Sequence, residues 1–283
     1  MFQTFHWNRR VAEFFAQRER PHVVAMQNGN GAAIIPACIA GGEIKFLGEK
    51  LFDYPAPLWM GDGGALAEAW NQLLAVNLPF KVFGIRDADR NWPATPAPWT
   101  GAPFVSRELT SQEFAAVHLN SARRVRSLQR LGVSLRAEGA TGPLLRRLYE
   151  LKARTGAGGE ENLFSDPLRR QFLVAVARSG DPPAELFRLL LGEEWIAALL
   201  TFRDGGIRRF YTIWRSHAWR RHSPGAALLY EVTRLSLEEG LECDYMTGDQ
   251  PFKRRLATGI KPLYQLAMSA EAACSPDDLR ATA

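Results

Sequence analysis

The sequence predicts an α/β fold built as a tandem duplication, in which each half has a mixed, mostly antiparallel sheet flanked by helices. The order of three-strand meander, glycine corner, helix and strand occurs twice along the chain. In both copies the apolar spacing changes from strand-like to helix-like after the corner. The composition agrees, because 46% hydrophobic and 23% charged residues among 283 are typical of a globular protein with a buried core.

The first copy begins with three short apolar runs in residues 22–48. Turns at Asn28–Gly31 and Gly41–Gly42 separate them, and both are strong hairpin signals. A glycine corner at 61–64 follows, and then an apolar-periodic helix over about 65–74 and the strand FKVFGI at 80–85. These signals predict a meander, a helix and a strand.

The second copy repeats this order from residue 185 onward. Turns at 192–194 and 204–206 divide the second meander. The corner Ser223-Pro224-Gly225 then precedes a helix that ends near Gly240 and a strand LECDYMTG at 241–248. One face of this helix is predicted to be apolar, with Leu228, Leu229, Val232 and Leu235.

Three helices are predicted between the copies. The first, SARRVRSLQRLG, carries Arg123, Arg124, Arg126 and Arg130. It is either a solvated amphipathic helix or a basic wall that faces an acidic ligand between the domains. Helices over GPLLRRLYELKARTG and DPLRRQFLVAVARSG follow. We therefore expect domains at 1–120 and 121–270, with a loose tail at 271–283.

Charge and composition exclude several classes of protein. The 35 Lys+Arg against 30 Asp+Glu give a formal net charge of +5, which makes nucleic acid an improbable partner and fits a phosphate-bearing small ligand. The three cysteines are far apart and the histidines lack ligand spacing, so we expect neither a disulfide framework nor a metal site. Apolar runs are too short for a membrane span and no secretion signal is visible, so we expect a cytoplasmic protein.

The corner at Ser223 has two interpretations. Ser223 with Pro224 at the first helical position would cap the helix without any ligand. Alternatively, Gly225 and Ala226 leave the first-turn amides open, so that an anion binds there with help from the helix dipole and nearby guanidinium groups.

A meander that leads into a corner of the form R-x-x-S-x-G-A resembles the acyl-CoA-binding element of the GNAT acyltransferases. Arg220, Ser223 and Gly225–Ala226 take the places of its Q/R-x-x-G-x-G/A motif, with serine for the first glycine. Together with residues 46–59, the basic helix and residues 243–256, the chain resembles the narrower BioF/CelD-like acetyltransferase group, which is related to the Fem peptidyltransferases and built as two GNAT units.

The resemblance implies acetyl-CoA or another acyl-CoA as donor, bound to the second domain. A main-chain amide near Ile213 or Trp214 would polarise the thioester carbonyl. Amides of the corner, with Arg220 or Arg221, would hold the diphosphate. The expected donor-binding residues are Ile213, Trp214, Arg220, Arg221, Ser223, Gly225 and Ala226.

Candidate catalytic residues follow the last predicted strand. Asp249 is the first candidate for the base or for orienting the acceptor, with Lys253 four residues later. Alternatively, Asp249 caps the turn that carries Lys253 or pairs with that lysine. The resembling group often has tyrosine at position 252, where this chain has Phe252, which cannot donate a proton. Tyr211 is a substitute acid or a core residue.

In the first copy, Asp53 and Tyr54 precede two prolines in an irregular stretch that also leads to Trp59. The resemblance suggests that this loop forms the acceptor side of an inter-domain cleft. The alternative is a packed loop in which Asp53 holds backbone amides. Because the first corner lacks flanking arginines, we expect only the second copy to bind the donor.

The sequence thus favours an acyl-CoA-dependent N- or O-acyltransferase, most simply an acetyltransferase, with a small-molecule, saccharide or amine acceptor. Two alternatives share the fold. One is Fem-like transfer from aminoacyl-tRNA, which the modest net charge makes less attractive. The other is a catalytically inactive binding protein, suggested by Phe252.

Overall fold

A computed structural model of the chain describes residues 4–88, 91–155 and 164–270. The chain forms two compact units. The first contains the described residues of Met1–Gly101 and Pro262–Ala283, and the second contains those of Ala102–Lys261. The tail predicted at 271–283 lies outside the described residues.

The first unit contains the first predicted meander, the predicted helix and the predicted strand. Its elements are α1 (Phe5–Phe15), β1 (Arg20–Asn28), β2 (Gly31–Ala40), β3 (Glu43–Phe46), β4 (Leu58–Met60), α2 (Gly64–Leu74) and β5 (Phe80–Ile85), joined at the end of the chain by β12 (Gly259–Met268). The strand order is β1-β2-β3-β5-β12, and β4 pairs with β2. β3 and β5 pair in parallel, and the other pairs are antiparallel.

The second unit has more helices on the same plan. Its elements are β6 (Ala97–Val105), α3 (Ser111–Val117), α4 (Leu119–Arg130), β7 (Ser134–Gly139), α5 (Gly142–Thr155), α6 (Pro167–Ser179), β8 (Ala184–Leu191), β9 (Glu194–Asp204), β10 (Ile207–Arg215), a 3₁₀ turn (Arg220–His222), α7 (Pro224–Glu238), β11 (Glu242–Asp244) and α8 (Pro251–Arg254). The strand order is β6-β11-β10-β9-β8-β7.

The pairing pattern confirms the predicted tandem duplication. In each unit the third meander strand pairs in parallel with the strand after the helix, as β3 does with β5 and β10 with β11. That strand then pairs antiparallel with one more strand, β12 in the first unit and β6 in the second. The two halves therefore share a topology as well as an order of elements.

The strand predicted at 241–248 is shorter than expected. It ends at Asp244, and Met246 has a positive φ of 61°, which no regular strand contains. The Met246 amide donates to Oδ1 of Asp244 at 2.8 Å, so the Asp244 side chain turns the backbone out of the sheet.

Helix α7 packs on the sheet of the second unit through more than one face. Leu228, Leu229 and Val232 are buried as predicted, whereas Leu235 is only half-buried. Thr233 and Ser236 are also buried, so the helix is enclosed on several sides and its N-terminal turn is held firmly against β10.

None of the helices in the described part of the chain is both long and apolar enough to cross a membrane.

Candidate active site

Strand β10 extends beyond its parallel partner. It pairs with β11 only at Ile207–Arg209 and continues to Arg215. The last paired position holds a buried ion pair, in which Arg209 Nη1 lies 2.6 Å from Asp244 Oδ2. On the other side, β10 stays paired with β9 except for an irregularity between Phe210 and Thr212. One edge of residues 210–215 is therefore not covered by β11.

The second corner, Ser223–Ala226, starts α7 with an unusual backbone. Ser223 has φ 50° and ψ 51°, in the left-handed region, and its side chain makes no capping hydrogen bond. Ser223 thus occupies the N-cap position and Pro224 the first helical position, but the predicted side-chain cap is absent. Because first-turn N–H groups have no partner within a helix, the amides of Gly225 and Ala226 remain suited to an anion.

A cavity of about 370 Å³, here called the arginine cavity, lies at this corner. Six of the seven predicted donor-binding residues line it. Arg221 does not, and its Nε donates to Nε2 of His222 at 2.9 Å. The lining residues are Arg124, Ile213, Trp214, Arg215, Arg220, Ser223, Gly225, Ala226, Phe252 and Arg255.

The arginine cavity is strongly cationic. Arg124, Arg215, Arg220 and Arg255 line it, and no acidic side chain does so among the described residues. Arg215 packs on the helix start, since a Cβ at Gly225 would lie 3.3 Å from its Cδ. Guanidinium groups and the N-terminal end of a helix act in the same direction here, so the cavity favours phosphate groups. The basic helix, α4, contributes Arg124 to this wall.

A second cavity of about 230 Å³, the lysine cavity, adjoins the first. It shares Ile213 and Phe252 with the arginine cavity. Two predicted catalytic residues, Tyr211 and Lys253, line it together, and so does Lys152. The other lining residues are Leu199, Phe210, Thr212, Leu229, Tyr245 and Gln250.

Lys152 was missed by the sequence analysis. It extends from α5 so that its Nζ donates to the carbonyl oxygen of Ile213 at 3.1 Å, and Nζ lies 4.9 Å from the ring centroid of Phe164. Burial, with a smaller contribution from the charge of Lys253, lowers the pKa of Lys152 from 10.5 to about 8. A signal was available, because Lys152 continues the apolar stripe of Leu145 and Leu148 at helical spacing.

Lys253 and Asp249 are separated by the fold. Lys253 Nζ donates to the Thr247 carbonyl oxygen at 2.8 Å, and its side chain lines the lysine cavity. Asp249 lines neither cavity. Its carboxylate forms an ion pair with Arg254. Neither alternative interpretation of Asp249 holds, since the N-cap of α8 is Gln250 and the described partner is Arg254 instead of Lys253.

Tyr211 and Phe252 are the aromatic walls of the lysine cavity. Tyr211 is half-buried and packs edge-to-face on Phe202, with 5.3 Å between ring centroids. The register of β10 against β9 shifts at this residue, which is typical of a bulge that redirects a side chain near a functional site. Phe252 lines both cavities.

Asp53 lies in the first unit, on a different cavity of about 270 Å³. This aromatic cavity also contains Phe83 and Trp99, whose ring centroids are 5.5 Å apart. The adjacent Tyr54 has a positive φ of 69°, and the Arg86 guanidinium lies 3.5 Å from its ring centroid. The predicted loop is therefore tightly packed and borders a cavity.

The first corner, Gly61–Gly64, is closed by its own side chain. Gly63 is the N-cap of α2, with φ 82°. The amide of Gly64 donates to Oδ1 of Asp62 at 3.1 Å. A carboxylate therefore occupies the place that an anionic ligand would take.

The described residues contain no group of three or more histidine, cysteine, aspartate or glutamate side chains that is able to hold a metal ion. Cys243 is fully buried, and burial raises the pKa of its thiol to about 12. Its thiol is therefore protonated at neutral pH and suited to packing.

Comparison with known proteins identifies the domain that carries both cavities. Residues 117–254 match the family described as the acetyltransferase (GNAT) domain. No curated protein matches the chain significantly.

Solved structures share the fold over nearly the whole chain. L-PGS from Bacillus licheniformis is 12% identical, with 92% of this chain and 90% of that chain covered and a TM-score of 0.59. FemX is 12% identical, with 93% of this chain and 91% of that chain covered and a TM-score of 0.55. A conserved protein of unknown function from Bacteroides thetaiotaomicron VPI-5482 is 11% identical, with 95% of this chain and 91% of that chain covered and a TM-score of 0.62.

At 11–12% identity, these solved structures show only that the fold is shared. The family match concerns the domain at residues 117–254. Every residue of the lysine cavity and of the arginine cavity lies within 117–254 except Arg255. Residues 117–254 therefore form an acetyltransferase (GNAT) domain.

Proposed function

We propose that the protein is an acyl-CoA-dependent N- or O-acyltransferase, most simply an acetyltransferase. The donor binds in the arginine cavity, and the reacting group of the acceptor enters the lysine cavity. The observation that carries this proposal is that the two cavities meet at Ile213 and Phe252. A thioester placed there is within reach of groups from both sides.

The phosphates of coenzyme A match the arginine cavity. The amides of Gly225 and Ala226 at the start of α7, with Arg220 beside them, suit the diphosphate. Arg124 and Arg255 line the same cavity and add positive charge for the remaining phosphate.

Ile213 offers the hydrogen bond that the acyl carbonyl needs. Its carbonyl oxygen accepts from Lys152, so this residue presents its polar backbone groups to the uncovered side of β10. In a strand, the N–H of a residue points to the same side as its C=O. The Ile213 amide is therefore a candidate to stabilise the developing oxyanion, as expected for the pair Ile213 and Trp214.

Proton transfer does not require position 252. Phe252 supplies an apolar wall, whereas Tyr211 and Lys253 line the same cavity and carry transferable protons. Asp249 acts in this scheme only if it leaves Arg254. Asp53 remains a candidate for the acceptor side through its own cavity. The acceptor class is a small molecule or saccharide that bears an amine or hydroxyl.

Isothermal titration calorimetry with acetyl-CoA tests the proposal. We expect micromolar-range binding that weakens as salt is added, since charge pairing contributes to it. Arg220→Ala removes one charge-assisted contact and should weaken binding about 10- to 100-fold. Arg9→Ala is the matched control, because Arg9 is an exposed helical arginine of the first unit that pairs with Glu13, and it should change the Kd less than twofold.

The alternatives give different results in the same series. Failure of acetyl-CoA and free coenzyme A to bind would contradict the proposal. Binding of aminoacyl-tRNA in a filter assay would then favour Fem-like transfer. Tight acyl-CoA binding, without release of free thiol across a panel of amines and amino sugars, would favour a binding protein.

A further inference from the structure

We infer that Lys152 is the base that takes the proton from the acceptor during acyl transfer. The inference rests on the proposed function and extends it, since the site predicted from the sequence did not include this residue.

Lys152 is placed at the meeting point of the two cavities. Its Nζ donates to the carbonyl oxygen of Ile213 at 3.1 Å, and Ile213 lines both cavities. The same residue carries the amide proposed for the oxyanion. The base and the oxyanion donor are thereby held by one residue of β10, and a reacting acyl carbon beside that amide has Nζ close to it.

The ionisation of Lys152 suits this task. Burial lowers its pKa to about 8, and the charge of Lys253 acts in the same direction. An ordinary lysine has a pKa near 10.4, and about one molecule in 2,500 is neutral at pH 7, against about one in ten for a pKa of 8. The pKa also lies near the value of about 8.5 for an ordinary thiol, so a proton on Nζ passes readily to a departing thiolate.

Among the described residues, the other titratable groups that line the lysine cavity with Lys152 are Lys253 from α8, Tyr211 from β10 and Tyr245 after β11. Burial raises the pKa of Tyr245 well above 10, so this phenol stays protonated. Asp249, the base expected from the sequence, lines neither cavity and pairs with Arg254. Lys152 is thus the better placed base.

The step balances without any further reactant. Neutral Lys152 takes one proton from the acceptor nitrogen or oxygen as that atom forms its bond to the acyl carbon. The carbon–sulfur bond breaks, and the electron pair leaves on the sulfur of coenzyme A. The thiolate then takes the proton from the Lys152 ammonium, which yields free thiol, acylated acceptor and neutral lysine.

The first test compares Lys152→Arg with Lys152→Gln. Arginine keeps a charge and a donor for the Ile213 carbonyl but does not deprotonate. Both variants should bind acetyl-CoA within about threefold of the wild type and lose about 10²- to 10⁴-fold in kcat, the usual contribution of a general base. Thiol release from acetyl-CoA is followed with water and with each amine of the panel. An Arg variant that keeps more than a third of the wild-type kcat overturns the inference in favour of a positioning role.

The pH profile supplies a readout that a positioning role would not move. Only the neutral amine acts as base, so kcat/KM should rise with pH through a midpoint near 8 in the wild type. Lys253→Gln removes a positive neighbour that lowers the pKa of Lys152, so this midpoint should move to higher pH in whatever activity remains. Lys261→Gln is the matched control, because Lys261 lies outside both cavities and pairs with Glu242. An unmoved midpoint in Lys253→Gln contradicts the inference.

Direct titration of the Lys152 amine measures its pKa even where turnover is slow. In protein labelled with ¹³C at the ε carbon of lysine, the signal absent from Lys152→Arg should titrate near pH 8, and a midpoint above 10 overturns the inference. Failure of acetyl-CoA to bind would instead remove the proposed function, whatever Lys152 does. Stable acylation of Lys152 found by mass spectrometry would make it an acceptor and contradict its role as base.

Discussion

The two corners of the duplicated fold begin their helices in opposite ways. At the first corner, the Asp62 carboxylate bonds the Gly64 amide at 3.1 Å. At the second, Ser223 makes no side-chain cap, and Arg215 and Arg220 lie beside the open turn. One start is neutralised from within the chain, and the other is left with uncompensated positive charge.

Under the proposed function, one topology provides a closed helix start in the first unit and a ligand-binding helix start in the second. A helix whose first-turn amides are bonded by a carboxylate of the same chain needs no ligand there, and this bond adds to the stability of the protein. A helix start without such a carboxylate keeps its amides for a ligand and forgoes part of that stability. The left-handed backbone of Ser223, which costs of order 1 kcal/mol or more, is consistent with a corner shaped for binding. Four paired substitutions test the comparison.

The largest expected effect concerns the glycines of the two corners. A Cβ at Gly61 would lie 2.0 Å from the Asn30 carbonyl oxygen, and φ there is +90°. Gly61→Ala should therefore lower the free energy of unfolding by about 2–4 kcal/mol. A Cβ at Gly225 would lie 3.3 Å from Cδ of the flexible Arg215 and at ordinary contact distance, 3.8 Å, from Ile213, so Gly225→Ala should cost less than about 1 kcal/mol. Urea denaturation measures both, and equal losses would contradict the comparison.

The next effect concerns affinity. Gly225→Asp places a carboxylate among the arginines and first-turn amides, where it would compete with the diphosphate. We expect acetyl-CoA affinity to fall at least about 100-fold, or about 2.7 kcal/mol, with the fold preserved because aspartate is favourable in a first helical turn. Gly64→Asp makes the matched change at the first corner. Calorimetry that shows similar affinities for the two variants would refute the assignment of the donor to the second corner.

A smaller effect separates the caps. Asp62→Ala removes the carboxylate that accepts from the Gly64 amide at the start of α2, and should destabilise the protein by about 1 kcal/mol. Ser223→Ala removes a hydroxyl that makes no capping bond, and should change the stability by less than about 0.5 kcal/mol. Thermal unfolding of the two variants under one buffer provides the measurement. A larger loss for Ser223→Ala would show that this hydroxyl supports the helix.

The last pair of substitutions concerns the backbone of Ser223. Glycine adopts the left-handed region without steric cost, so Ser223→Gly should keep acetyl-CoA binding and change stability by no more than about 1 kcal/mol in either direction. Ser223→Val, a β-branched residue, should instead destabilise by more than Ser223→Ala does. Should valine be tolerated as well as glycine, the corner is not strained in solution.

The sequence predicted those parts of the fold that depend on local signals. Both meanders, α2, α7 and the three intervening helices follow from glycine turns and apolar spacing, and they are confirmed. β7, β6 and β12 were not predicted. β7 is polar and largely exposed, so it lacks an apolar pattern. β6 and β12 pair with strands far away in the chain, so no short window of sequence contains the reason for their conformation.

The candidate site also contains residues that the local sequence predicted and residues that only the fold brings together. Ser223, Gly225 and Ala226 lie next to one another in the sequence and were predicted as a group, and they line one cavity. Lys152 lies 61 residues from Ile213, and its lowered pKa arises from burial that only the packed protein provides. Asp249 had the right type and spacing for a base, but its ion pair with Arg254 depends on side-chain geometry.

Residue order alone thus specified the duplicated architecture and the place of the second corner, since turns, caps and apolar periods act over a few residues. The folded chain was required to bring Lys152 to Ile213, to set Arg124, Arg215 and Arg255 around the corner, and to close the first corner with Asp62. Desolvation and charge proximity act through space, and each depends on distances that are defined only after the sheets and helices have packed.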